Sequence, residues 1–204
     1  VIQGFELQHI VLEGFGIRLV PMDLSHTDAL FRLAMQPETQ DFFTQVHIDH
    51  IEDTRQYILK MLRERYSADR YPFMITNYEG KVLGATAFLD IRPNHKGCEI
   101  GATWIDIEYR RTKVSTVSKF LLLQLAFETW EAERVQFRVF SKNEVSIKSV
   151  GSLGATYEGA MRNAFKLKDG SRDDMKLFSM VKPEWPQIKQ MLFDRIMANK
   201  PGAN

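Results

Sequence analysis

The apolar positions of the chain follow two periods in turn. Residues 17–21 (Ile-Arg-Leu-Val-Pro) alternate apolar and polar, the two-residue period of a strand buried on one face. After Ser25, a residue type that caps helix starts, Ala29, Leu30, Leu33 and Ala34 recur at helical spacing. A second helix is predicted over residues 53–66, with Tyr57, Ile58, Met61 and Leu62 on one side. Residues 73–76 and 82–91 return to the strand pattern around the hairpin turn Asn77-Tyr78-Glu79-Gly80-Lys81. A further turn at 92–97 leads into a strand over 98–107. Ser115 is a suitable N-cap for the long helix that follows. In that helix Leu122, Leu125, Ala126 and Trp130 share one face, and Gln124, Glu128 and Glu131 share another, so it is expected to lie on a sheet. Residues 134–140 read as a strand, and 143–153 as a helix stopped at Gly154. Residues 155–167 and 175–181 read as a closing hairpin about Lys168-Asp169-Gly170-Ser171. Pro183 opens a last helix that ends near Ala198.

This order predicts the α/β class, with an antiparallel meander leading into a βαβ unit and seven strands in one mixed, mostly antiparallel sheet. The 204 residues suffice for a sizeable core, and we read 1–204 as a single domain with tails at 1–4 and 200–204.

Charge and cysteine content narrow the function classes. The formal net charge is +1, so no global field attracts nucleic acid or a membrane, and any anion site must be local. Cys98 is the only cysteine, which excludes an intrachain disulfide framework and a cysteine-based zinc site. The apolar run FLLLQLAF is too short to span a bilayer, and VIQGFELQHIVLEG lacks the pattern of a signal peptide. A cytoplasmic protein, monomer or homodimer, is the expectation. His47 and His50 have the spacing of a metal pair only if their segment is helical, and no further ligand accompanies them, so no metal is expected.

The stretch IDIEYRRTKVSTVSKFLLLQLAFE (105–128) holds the candidate chemistry. A strand ends in a basic loop, and a helix begins. Such a helix start offers free backbone N–H groups and a partial positive charge to an anion. Arg110, Arg111 and Lys113 add three positive charges, yet the loop contains no glycine. It is either a phosphate cradle or a solvated basic connection.

The surrounding sequence resembles a known family. The hairpin, the stretch above and RVQFRVFSKNEVSIKSVGSLGATYEG stand in the order and spacing of the Gcn5-related N-acetyltransferases (the GNAT superfamily). Within it the chain most resembles the RimJ/RimL-type ribosomal-protein N-terminal acetyltransferase-like branch, which FELQHIVLEGFGIRLVPM and DDMKLFSMVKPEWPQIKQML also fit. The resemblance implies central parallel strands that splay apart, acetyl-CoA as donor, and an amine, on a small molecule or a peptide, as acceptor. The family's pyrophosphate loop, Arg/Gln-x-x-Gly-x-Gly/Ala, falls on Arg110-Arg111-Thr112-Lys113-Val114-Ser115. Arg110 matches, while Lys113 and Ser115 fill the glycine positions. Those residues can still donate backbone N–H groups if the loop keeps negative φ, and Thr116 continues the first helical turn. The resemblance further implies that the backbone of Ile105, Asp106 and Ile107 holds the pantetheine arm and thioester, and that Asn143 touches the same arm.

Amine acetylation needs a base for the acceptor ammonium and an acid for the departing thiolate. The tyrosine that many relatives place in the helix after the motif asparagine is replaced by Val150, which leaves Ser146 as the nearest hydroxyl. Ser146 either donates a proton or faces solvent in the first helical turn, and Asn143 can equally be a plain cap. Glu99, on the strand of the thioester site and alternating with Gly101 and Thr103, is the candidate base; otherwise it is an exposed strand glutamate. Phe42, Phe43, Tyr57 and Trp104 are either acceptor wall or core, and Asp41, Asp49, Glu52 and Asp53 would suit a cationic acceptor.

Overall fold

The computed structural model describes residues 9–36, 48–66, 69–167 and 169–198. Its strands are β1 (Leu12–Gly14), β2 (Ile17–Pro21), β3 (Arg70–Asn77), β4 (Val82–Arg92), β5 (Gly97–Ile105), β6 (Arg134–Phe140), β7 (Thr156–Lys166) and β8 (Arg172–Val181). The helices are α1 (Thr27–Ala34), α2 (Ile51–Tyr66), α3 (Val114–Gln124), α4 (Glu144–Gly151) and α5 (Trp185–Ala198). All strands join one sheet in the order β1-β2-β3-β4-β5-β6-β8-β7. Among the described residues the sheet has eight strands rather than the expected seven, because β1 adds to the edge of β2. The hairpin between them turns on Phe15 and Gly16, at φ 55 and 85, the left-handed pair that a two-residue connection requires.

Helices cover both faces. On one face α3 and α5 bury Phe120, Leu122, Ile188 and Leu192 against Phe88, Cys98, Ile100, Val135 and Phe137. The wholly buried Phe88 ring sits 4.5 Å from Trp130 and 6.3 Å from Phe73. Burying such a ring contributes about 1.5–3 kcal/mol. On the other face α1 and α2 bury Leu30, Leu33, Ile58 and Met61 against Met74, Val82 and Ala85. Tyr57 and Trp104 belong to this second core, with ring centroids 5.7 Å apart, and burial pushes the Tyr57 hydroxyl up to about 12. Phe42, Phe43, Asp41 and His47 lie outside the described residues. Among the described residues no helix is long and apolar enough to cross a membrane, and no group of three or more His, Cys, Asp or Glu could hold a metal ion.

Two features of β5 shape the site. It runs parallel to β6, and their pairing covers Gly97↔Arg134, Cys98↔Val135 and Glu99↔Gln136 before the ladder stops. Beyond Glu99 the two strands part, so the expected splay is present.

The second feature is a bulge. Across the β4–β5 ladder Leu89 pairs with Glu99, Ala87 with Gly101 and Ala85 with Trp104, which leaves Ala102 and Thr103 opposite Thr86 alone. Ala102 takes φ 48, and the extra residue reverses the alternation after Gly101. Glu99, Gly101 and Trp104 therefore share a face, while Thr103 turns to the other, where its hydroxyl meets that of Thr86 at 2.9 Å. This corrects the expected grouping of Glu99 with Thr103.

Candidate active site

The site is built around the fork between β5 and β6. From Ile100 onward β5 lacks a ladder partner on its β6 side, so that edge can take an extended ligand as a sheet takes an added strand. The strand stops at Ile105 rather than Ile107. Asp106 N–H donates to Leu83 O at 2.9 Å, and the Asp106 carboxylate accepts from Glu108 N and from Gln36 Nε2, both at 3.1 Å. Ile107 N–H donates to Gln36 Oε1 at 3.1 Å. The structure thus commits Asp106 and Ile107 to closing the strand end over α1, and of the three predicted arm residues only Ile105 lies in the strand.

Arg110 folds back and donates from Nε to Ile105 O at 3.1 Å, fastening the basic loop to the strand it leaves. Arg111 has φ 61, so the loop does contain a left-handed residue and the condition of negative φ is not met at that position. The left-handed position simply differs from those filled by Lys113 and Ser115. The Thr112 hydroxyl donates to Tyr109 O at 2.6 Å and accepts from Val114 N–H at 3.3 Å. Helix α3 starts at Val114 with Lys113 in the cap position, so Ser115 is its second residue and not the expected N-cap. Lys113 O accepts from Val117 N–H at 2.8 Å. Ser115 and Thr116 lie in the first turn, where the helix supplies no acceptor for their N–H groups. The Val114 N–H is used inside the loop, so Ser115 and Thr116 carry the open donors.

At the far side of the fork, Asn143 caps α4: its Oδ1 accepts from Ser146 N–H at 3.0 Å. Ser146 is half-buried in the first turn, and no partner for its hydroxyl is present among the described residues.

Glu99 occupies the apex of the fork and is only 3% exposed, not an exposed strand glutamate. Its Oε2 accepts from Arg138 Nε at 2.5 Å and from Gln136 Nε2 at 3.2 Å. Burial pushes its carboxyl above the ordinary value, while Arg138 and Gln136 pull it back down. The carboxylate lies over Gly101, where an added Cβ would stand 3.3 Å from Glu99 Oε1 and 2.9 Å from Leu89 Cδ1. Gln136 extends the network to Asp90 at 3.4 Å and Arg92 at 3.3 Å.

Several of these groups escaped the sequence reading. Gln136 and Arg138 alternate with Val135, Phe137 and Val139, a polar stripe readable on β6, but their meeting with Glu99 needed the sheet order. Lys119, buried just before the apolar run of α3, reaches the same loop-to-helix junction by donating to Ser115 Oγ at 2.8 Å. Other candidates have local duties. Asp53 accepts the N–H groups of Asp49 and His50 at 3.0 and 2.8 Å, and so caps the start of α2. Cys98 is wholly buried, and burial pushes its thiol up, which leaves it inert.

Residues 17–156 match the family model described as an acetyltransferase (GNAT) domain. Over 181 residues the chain is 22% identical to "Probable N-acetyltransferase YjcK" of Bacillus subtilis (strain 168), across 85% of this chain and 98% of that one. A solved structure from T. thermophilus, named as a candidate acetyltransferase, aligns with a TM-score of 0.82 at 32% identity, over 91% of this chain and 96% of its own. Mycobacterium smegmatis RimJ, solved with CoA-disulfide, aligns with a TM-score of 0.79 over 93% of this chain and 96% of its own. Its identity of 16% makes that likeness one of fold.

Proposed function

The chain belongs to the GNAT acetyltransferase family, and on that premise we propose that it moves the acetyl group of acetyl-CoA onto a primary amine by direct transfer in a ternary complex. The observation that carries this reading is the fork itself: a strand edge open beyond Glu99, beside a helix start whose Ser115 and Thr116 N–H groups lack helical acceptors. The residues present suit the donor. The first turn of α3 and the basic loop from Arg110 to Lys113 take its diphosphate, and the open edge of β5 up to Ile105 takes its pantetheine arm. Asn143 borders the same channel.

The acceptor nitrogen enters from the Glu99 face. Glu99 takes the ammonium proton, the freed lone pair bonds to the acetyl carbonyl carbon, and the carbon–sulfur bond breaks. Ser146, directly or through water, gives its proton to the leaving sulfur and regains one from the nitrogen, which loses its second proton on becoming an amide. A backbone N–H of β5 polarises the carbonyl oxygen. The acceptor is a peptide N-terminus or a small amine. The motif order supports a place near the RimJ/RimL-type branch, and we treat 1–204 as one such domain.

Calorimetry with acetyl-CoA, followed by thiol release over a panel of peptides, polyamines and aminoglycosides, tests the reading. Saturable donor binding and amine-dependent release of CoA are expected. Donor binding with no release for any amine would reduce the protein to an acyl-CoA-binding module.

Ser146→Ala is expected to lower turnover more than it alters donor affinity. Equal loss in both would leave Ser146 as a support for the helix start, and unchanged kinetics would remove it from the chemistry.

A further inference from the structure

Lys119 is a buried cation with no carboxylate in its hydrogen-bond shell among the described residues. It is 7% exposed, and its Nζ donates to Ser115 Oγ at 2.8 Å and to Ser149 Oγ at 3.2 Å. Both acceptors are neutral hydroxyls. Burial alone accounts for the fall of its ammonium to about 8. A lysine kept in such a place opposes the fold, since a buried charge is costly unless paired.

Its position supplies the missing partner. Lys119 lies one turn beyond Ser115 on the same face of α3, and helical side chains lean toward the N-terminus. Ser115 occupies the second helical position, where its own N–H is open. Its oxygen already accepts from Lys119, so its hydroxyl proton is free to point elsewhere. One residue therefore presents an N–H and an O–H, with an ammonium directly behind it.

We infer that Lys119, held between Ser115 and Ser149, forms the charged floor of the diphosphate cradle and acts on the donor's diphosphate through the Ser115 hydroxyl. This rests on the donor reading above and deepens it. It also gives a physical role to the serine in the family's second glycine position: the side chain replaces conformational freedom with a polarised donor. Lys119 is a positioning residue here, distant in role from the reacting atoms.

Calorimetry separates this role from mere support, with CoA, dephospho-CoA (which lacks the 3′-phosphate) and pantetheine (which lacks every phosphate) as probes. Lys119→Met keeps length and removes charge. It is expected to weaken CoA and dephospho-CoA alike by about tenfold, the worth of a charge-assisted hydrogen bond, and to leave pantetheine unchanged. The ligand-free variant should melt at the parental temperature or above it, because a buried charge has gone. Ser115→Ala should show the same selectivity with a smaller loss. Equal weakening of all three probes would make Lys119 structural and overturn the inference. A loss confined to CoA would assign the ammonium to the 3′-phosphate and overturn it too. Unchanged CoA affinity in both variants overturns only this inference, whereas parental protein that binds no CoA overturns the donor reading as well.

Discussion

Glu99→Gln is expected to slow acetyl transfer at neutral pH by roughly 10²–10⁴-fold, the usual worth of a general base, while CoA affinity stays near the parental value. The substitution keeps the shape of a side chain packed over Gly101 and removes its capacity to take a proton. Glu99 is the last residue of β5 paired with β6, so its carboxylate stands where the fork opens, on the face opposite α3 and α5. Burial raises its carboxyl, which strengthens it as a base, and Arg138 and Gln136 offset part of that rise. The deficit should shrink as pH rises, because the amine then arrives already neutral. A deficit that is flat with pH would mean positioning, and no deficit would route the proton through water.

Stability gives an independent check with a fixed sign. A carboxyl raised in the folded state binds more protons there than in the unfolded chain, starting from its ordinary value of 4.5. Folding stability from this group is therefore fullest below that pH and falls as pH rises through the raised value. The glutamine variant lacks that fall, so at neutral pH it should be as stable as the parent or more so. A slow but stable variant separates chemistry from folding.

Alternation and turn residues made most of the sheet legible, because a strand buried on one face must repeat every two residues. They missed β1, whose three residues from Leu12 to Gly14 are too few to show a period. They also missed the bulge. Gly101-Ala102-Thr103-Trp104 reads as plain alternation, and nothing in those residue types marks the one-residue slip that sends Thr103 to the opposite face. The strand was carried to Ile107 because Ile105-Asp106-Ile107 still alternates; the chain leaves the sheet at Asp106 because Leu83 and Gln36, remote in sequence, take its polar groups. In the loop, Arg111 takes the left-handed conformation without glycine, at a position that the family's glycine pattern does not mark. Glu99 and Arg138 are separated by 39 positions, and only the parallel crossing brings them together. Lys119 directly precedes the apolar run FLLLQLAF, where its charge reads as an ordinary polar helix position, and only the fold shows that it is buried.

Gly84→Ala is expected to cost about 3 kcal/mol of stability, the upper end of overpacking penalties, and to lower transfer rates by about 10²-fold. Gly84 pairs with Ile105 on β5 and with Ile75 on β3, so it is held from both sides in the sheet. An added Cβ would stand 2.2 Å from Trp104 O and 3.2 Å from Ile105 Cα. Both atoms are backbone, and no rotamer change relieves them. The strands must part, and they part where β5 ends beside its open edge, moving the N–H groups that the thioester would meet. Gly151→Ala is the control: nothing lies within 4 Å of an added Cβ there, so stability and rate should hold. Urea denaturation should show a lower midpoint for Gly84→Ala at an unchanged slope, which marks a loss of stability rather than a change in the surface exposed. Donor affinity should drop less than turnover, since the diphosphate site proposed at α3 lies outside the disturbed pair. A Gly84→Ala protein with parental midpoint and parental turnover would show that β4 and β5 yield at no cost, and that glycine at 84 does not set the spacing of the site.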